Sequence, residues 1–290
     1  MLSLGLNLGL RASSKESSTP SPFQMLVGTS SNNVVFTIPC QNIGVFNAVI
    51  DWGDGSSSTV TSYNDANLSH TYVSDGNYTV SITGLFPNIF FNSTGTSRLY
   101  VKSVINLGSV GWLTLFSAFA GCTNLETFTA GQNNISAVTD LRYMFYDCTN
   151  LVTADLSTMN TSSVTLTNLM FYNCTSATTI DVSNINTSSV TDMNSMFYNC
   201  SSITDIIGVE NFSISSINGA AKLSNFMRFV TLPTARYDQL LINWHTSPPA
   251  TTGISTNFGN SKYTSPGPAA EARSGLITVY GWIIADGGVV

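Results

Sequence analysis

The chain has 290 residues, 43% of them hydrophobic and only 9% charged, with Lys+Arg at 10 against Asp+Glu at 16 for a net charge of −6. That length allows about two domains and a sizeable core. The scarcity of charge leaves Ser, Thr, Asn and Gly to cover the surface, and the acidic balance argues against a nucleic-acid partner, which wants a basic footprint, and against an anionic membrane.

In residues 1–10, Leu2, Leu4, Leu6, Leu8 and Leu10 alternate with Ser, Gly and Asn, a period of two that predicts a strand with one apolar face in need of a partner surface. Arg11 comes after the apolar run instead of preceding it, which is not the order of a signal peptide. Residues 13–22 form a Ser/Pro-rich linker. Residues 1–22 therefore read as an anchoring arm, with residues 1–20 expected to dock on neighbouring subunits. No stretch of the chain approaches the ~18 apolar residues of a membrane span.

Residues 23–106 carry all-β signals: Val34-Val35-Phe36-Thr37-Ile38 and Tyr78-Thr79-Val80-Ser81-Ile82-Thr83 have strand composition, punctuated by Gly, Asn and Asp. Asp51-Trp52-Gly53-Asp54-Gly55, then His70-Thr71-Tyr72 and Asp75-Gly76-Asn77-Tyr78, are similar to the polycystic-kidney-disease (PKD) type of immunoglobulin-like β-sandwich. The resemblance spans residues 36–84 and implies a spacer or binding module without a catalytic site. Asp51 and Asp54 have two readings. They are turn formers whose carboxylates bond backbone amides, or weak metal candidates for Ca²⁺, which takes about six to eight oxygens, more than this stretch supplies. His70 reads as a residue that pins a turn. Cys40 stands outside any pattern.

Beyond a junction in which Trp112 is expected to cap the first coil of a repeat, Cys122, Cys148, Cys174 and Cys200 recur at a spacing of 26 residues. Around them the text repeats as Met144-Phe145-Tyr146-Asp147-Cys148-Thr149-Asn150-Leu151, Met170-Phe171-Tyr172-Asn173-Cys174 and Met196-Phe197-Tyr198-Asn199-Cys200. A fixed period of this size means a solenoid. After each cysteine, Leu151, Ala154 and Leu156 match Ala177, Ile180 and Val182, a spacing that suits one short strand per coil, stacked on the next at about 4.8 Å. Asn160-Thr161-Ser162-Ser163-Val164-Thr165 and its repeat from Asn186 form a polar turn. Thr165 and Thr191 are expected to cap one or two helical turns carrying Met193, Met196 and Phe197 at i, i+3 and i+4. The four cysteines are expected to form a buried structural ladder of free thiols; the spacing is not that of metal-ligand pairs.

Met-Phe-x-x-Cys-x-x-Leu, then Asp-Leu-Ser and Asn-Thr-Ser-Ser-Val-Thr-Asp-Met, resembles the BspA-type leucine-rich repeats, also described as domain of unknown function 285, of bacterial, mycoplasmal and phage surface proteins. The resemblance is specific over residues 116–203. Ala118 departs from the methionine slot, and Phe226 stands where a fifth cysteine would fall, as capping coils of a solenoid require. The repeat domain is placed at residues 107–230.

In residues 231–290, Tyr237, Leu240, Leu241 and Trp244 at i, i+3, i+4 and i+7 predict an amphipathic helix. A second helix is predicted from Pro268 to Tyr280, and Gly281-Trp282-Ile283-Ile284-Ala285 predicts a strand. Together they read as a small α/β C-terminal cap, similar to the tail found after these repeats in phage and bacterial surface proteins. His245 beside Trp244 is read as packing.

The expected fold is thus mixed β and α/β: an immunoglobulin-like sandwich, then a leucine-rich-repeat solenoid, then the cap. No motif supplies a nucleophile and base or a metal set, so neither enzyme activity nor a cofactor is expected. The modules suit a phage virion surface protein, a capsid decoration or a tail or fibre component present in multiple copies; the alternative is a bacterial cell-surface adhesin. Thr153, Asp155, Thr179, Asp181, Thr204 and Asp205 are the expected binding positions on an exposed strand face, with a host-surface glycan or protein as partner.

Overall fold

The computed structural model describes residues 20–290; the leucine-alternating arm expected to dock on neighbours lies outside the described residues. The protein is mostly β. Seven strands occupy the N-terminal part: β1 (Phe23–Thr29), β2 (Val34–Thr37), β3 (Asn47–Asp51), β4 (Ser57–Val60), β5 (Ser69–Tyr72), β6 (Gly76–Leu85) and β7 (Val101–Asn106). One strand per coil comes next, β8 (Thr127–Thr129), β9 (Thr153–Asp155), β10 (Thr179–Asp181) and β11 (Asp205–Ile207). The C-terminal part holds α1 (Thr234–Thr246), β12 (Ser255–Asn257), α2 (Pro268–Thr278) and β13 (Ile283–Ala285).

Nine of these strands make one mixed sheet in the order β11-β10-β9-β8-β7-β1-β6-β3-β4. The alternation of β1 explains its central place: Phe23, Met25 and Val27 are fully buried, and the strand pairs antiparallel with β6 on one side and β7 on the other. β7 in turn pairs parallel with β8, so the sheet runs unbroken across residue 106. The two-stranded sheet of β2 and β5 packs on the large one through Phe36, edge-on to Trp52 at 6.5 Å, and through the Tyr72 hydroxyl, which donates to the Trp52 carbonyl at 2.9 Å. Each such buried aromatic contributes about 1.5–3 kcal/mol through the area it removes from water.

The coils keep the 26-residue register: Thr127, Thr153, Thr179 and Asp205 are successive partners in parallel pairing. Phe119, Phe145, Phe171 and Phe197 stack ring on ring at 5.9, 5.0 and 5.5 Å, and Tyr146, Tyr172 and Tyr198 do the same at 4.9 and 4.7 Å. Identical side chains recur because each packs on its own copy in the coils above and below; Phe128 adds an edge-on contact to Phe145 at 4.8 Å.

The expected helical turns are absent from the segments that lead into Cys148, Cys174 and Cys200, although short 3-10 turns occur later at Val209–Asn211 and Ala220–Leu223. The reason lies in the backbone donors. Phe145 N–H donates to Met170 at 2.8 Å and Asp147 N–H to Tyr172 at 2.9 Å, both in the next coil. The N–H groups between them turn back within the coil, Tyr146 to Tyr143 at 3.1 Å and Cys148 to Phe145 at 3.1 Å. A helix would turn its donors back on its own segment, residue i to i−4. Here a left-handed residue at each end of the tandem turn, Tyr143 (φ 58°) and Asp147 (φ 56°), rotates alternate amides towards the neighbour. Thr165 is accordingly no helix cap: its N–H and hydroxyl both donate to the Thr139 carbonyl of the preceding coil, at 2.9 and 3.3 Å.

Trp112 does not close an open end, because β7 already covers β8. Its indole N–H donates to the Leu107 carbonyl at 2.8 Å and its ring meets Phe23 edge-on at 5.5 Å, under the central strand. At the other end the ring stack turns: Phe226 meets Phe197 at 76°, and Trp244 of α1 and Phe258 pack on it in turn. The Met227 N–H donates to Asn257 of β12 at 2.9 Å, which carries the coil ladder into the C-terminal part. Asp286 ties that part together, accepting from the Tyr237 hydroxyl and from Arg273 Nε, both at 2.7 Å.

Candidate functional site

The strand column expected to bind is real as geometry but differs in membership. Thr153 and Thr179 share a row, and the residue in register with Thr179 is Asp205; Asp155 and Asp181 share the next row, which Ile207 continues. Thr204 lies outside both rows, its N–H and hydroxyl each donating to the Thr178 carbonyl at 2.9 Å. The cause is the short spacing of Ile203-Thr204-Asp205, which mimics the Thr-x-Asp of earlier coils one position early.

The carboxylates of the column are engaged. Asp155 Oδ1 accepts from the Ser157 amide at 2.9 Å and the Ser157 hydroxyl at 2.6 Å, and Asp181 Oδ1 accepts from the Ser183 amide at 2.9 Å. These are Asx turns that end the strand. Asp205 meets Arg236 of α1 side by side, and Arg236 Nη1 also donates to Glu210 Oε2 at 2.5 Å. Asp205, Glu210, Pro233, Ala235, Arg236 and Gln239 line a shallow cavity over this latch. No motif announces the latch, since Arg236 is thirty-one positions from Asp205.

The cysteines at 122, 148, 174 and 200 are wholly buried free thiols. Three of them donate to the phenylalanine carbonyl of the preceding coil, Cys148 to Phe119 at 3.1 Å, Cys174 to Phe145 at 3.2 Å and Cys200 to Phe171 at 3.0 Å. Burial pushes the Cys122, Cys148 and Cys174 thiols well above their ordinary range, which keeps them protonated as donors and poor as nucleophiles. Cys40, half-buried, is a free thiol raised in the same way by desolvation.

Asp51 and Asp54 serve their own turn. Asp51 Oδ1 accepts from the Gly53 amide at 2.9 Å, and Asp54 Oδ1 accepts from the Ser56 amide at 3.0 Å. Asp54 Oδ2 lies 2.7 Å from His70 Nε2, and the imidazole stacks on Trp52 at 5.0 Å. Desolvation opposes the charge on Asp54, but the hydrogen bonds from Ser56 and the contact with His70 outweigh it and hold its carboxyl down to about 2. Among the described residues no three His, Cys, Asp or Glu side chains gather as a metal set. His245 packs edge-on to Tyr280 at 6.2 Å.

A second polar ladder runs beside the stacked tyrosines, unanticipated although its residues are part of the repeat. Asn199 donates to Asn173 at 2.7 Å and Asn173 to Asp147 at 2.8 Å. These are the left-handed positions of the tandem turns, where Asn and Asp are the side-chain-bearing residues best tolerated.

Residues 113–231 match the family described as Mycoplasma protein of unknown function, DUF285. The DUF285 stretch is less than half of the chain and covers the coils from the junction after Trp112 to the turn at Val230. No curated protein and no solved structure matches the chain. Among the described residues no helix is long and apolar enough to cross a membrane.

Proposed function

We propose that this protein is a non-enzymatic recognition component of a phage virion surface, a capsid decoration or part of a tail or fibre, displayed in many copies. In this reading residues 23–106 are a PKD-like immunoglobulin-type sandwich acting as a spacer, residues 107–230 are leucine-rich-repeat coils that form the presenting surface, and residues 231–290 are their cap. The observation that carries it is the use made of side-chain chemistry along the coils: thiols, amides, hydroxyls and carboxylates bond to the neighbouring coil or to their own turn. What remains outward is a hydroxyl-rich, weakly acidic surface on a stack of coils, suited to weak contacts made strong by repetition. Asp51 and Asp54 are engaged by the amides of their own turn, and His70 of β5 is held against Asp54.

A bacterial cell-surface adhesin is the second reading, favoured by the family match, whose description is of a Mycoplasma protein. Mass spectrometry of purified particles, paired with fractionation of host envelopes, separates the two. The virion reading expects the chain in particles at a fixed stoichiometry; finding it in envelopes and not in particles overturns that reading in favour of the adhesin.

A further inference from the structure

A cavity on the outer face of the large sheet, near where the chain passes from β6 to the first coils, has an unusual lining for an acidic protein. Its walls are Gly28, Thr29 and Ser30 with Asn77, Leu99, Tyr100, Lys102 and Asn124, and its volume is about 370 Å³, within the roughly 300–1,000 Å³ of small-molecule sites. No carboxylate lines it, although the chain as a whole carries −6.

Gly28 makes the cavity possible. It sits on β1 between Asn77 of β6 and Lys102 of β7, and a Cβ there would stand 2.8 Å from Asn77 Oδ1 and 3.0 Å from Lys102 Cγ. The missing side chain is a notch in which the Lys102 stem lies across the central strand. Among the described residues Lys102 makes no ion pair, and the polar ends of Lys102, Asn77 and Tyr100 have no hydrogen-bond partner. By contrast Arg142, Lys222, Arg236 and Arg273 are each paired to a carboxylate. A free ammonium, a phenol and a carboxamide around one concave site are the groups that recognise a single negative charge on a hydroxyl-rich ring: the ammonium takes the anion by a charge-assisted bond, and amide and phenol take hydroxyls in either sense.

We propose that this cavity binds an acidic sugar residue, with Lys102 on the anionic group and Asn77 and Tyr100 on ring hydroxyls. The proposal rests on the recognition reading for its biological setting and gives that reading a ligand class.

The test is a titration of the full chain with glucuronic acid, N-acetylneuraminic acid, glucose 6-phosphate and neutral glucose, monitored by NMR chemical-shift changes. The expected result is binding of at least one acidic sugar, with shifts around Lys102 and Asn77, roughly tenfold tighter than glucose. The first two ligands against the third show whether the anion is a carboxylate or a phosphate. Lys102→Met keeps the stem and removes the charge, and is expected to weaken binding about tenfold. Lys262→Met makes the same change in net charge at an exposed site elsewhere and is expected to leave binding unchanged. Gly28→Ala fills the notch without altering charge and is expected to weaken binding too. The proposal is overturned if glucose binds as well as the acids, if no sugar binds the folded protein, or if the two lysine variants behave alike. These outcomes are independent of where the protein resides, so the virion reading can fail while the sugar site stands.

Discussion

Arg236 on α1 grips Asp205 on β11, Nη2 donating to Oδ2 at 2.8 Å while Nε takes the other carboxylate oxygen. The pair joins the last parallel strand of the sheet to the first helix of the C-terminal part, and Glu210 shares the guanidinium. Arg236→Met leaves two carboxylates facing each other without their cation. With the groups about a fifth to a third exposed, the expected loss is about 1–2 kcal/mol. Hydrogen exchange is the sharper measurement: amides of residues 205–207 should lose protection before those of residues 153–155. Equal protection in the variant would mean that apolar packing of α1 alone holds the end.

The thiols supply a second expectation. Cys122, Cys148, Cys174 and Cys200 should resist alkylation in the folded protein, and all five cysteines should react once it is denatured without reductant. Recovering fewer than five under denaturing conditions would reveal disulfides and contradict the ladder.

Replacing one rung measures what the thiol contributes. In Cys174→Ser the hydroxyl inherits the Phe145 carbonyl as acceptor, which offsets part of the cost of burying a more polar group. The expected destabilisation is about 1 kcal/mol, read from the shift in urea midpoint. A loss above about 3 kcal/mol would show that oxygen cannot reach the carbonyl from that rotamer.

Gly208 marks a place where the stack admits no side chain. Its φ is +89°, and a Cβ would stand 2.3 Å from the Ser183 Cα of the preceding coil. Gly208→Ala therefore combines left-handed strain with a backbone clash, for an expected cost of about 2–4 kcal/mol. Thermal unfolding checks it, with Gly253→Ala as a reference for strain alone, since that glycine (φ +68°) has open space around it.

Asp54 sets an acid limit. Its folded-state carboxyl is held down to about 2, below an unfolded value near 3.8. The stability it contributes is thus complete above about pH 4 and is lost as pH falls towards 2. Asp54→Asn should lower stability at neutral pH by about 0.2–1 kcal/mol, the range of exposed pairs, and should flatten the acid limb of the stability curve. An unchanged acid limb would assign that dependence to other carboxylates.

The register of the coils was legible because stacking forces like onto like: a phenylalanine at 145 is matched by one at 171 and at 197. Their backbone form was not, since Met193, Met196 and Phe197 have the spacing of a helix face and also that of two tandem turns pointing inward. Asn173 and Asn199 were the discriminating residues, tolerant of the left-handed backbone that a helix excludes. The continuity of the sheet through β7 stayed hidden because Val101-Lys102-Ser103-Val104 carries no repeat text: it faces a coil on one side and β1 on the other. Strand membership of Asp205 was visible, but its commitment to Arg236 was not, because a long-range pair between unlike segments leaves no period to detect.

The alternating amide pattern has a consequence for how such a protein can change in length. The upper side of every coil offers the carbonyls that the lower side of the previous coil requires, Met170 to Phe145 and then Met196 to Phe171. An added copy of 26 residues would therefore find both neighbours ready-made, and β7 below and β12 above need not alter. Each insertion would move the C-terminal part outward by about 4.8 Å, the distance between adjacent strands. The molecule is built as a ruler graduated in whole coils, whose span can be reset by unequal recombination between near-identical units while both ends keep their fit.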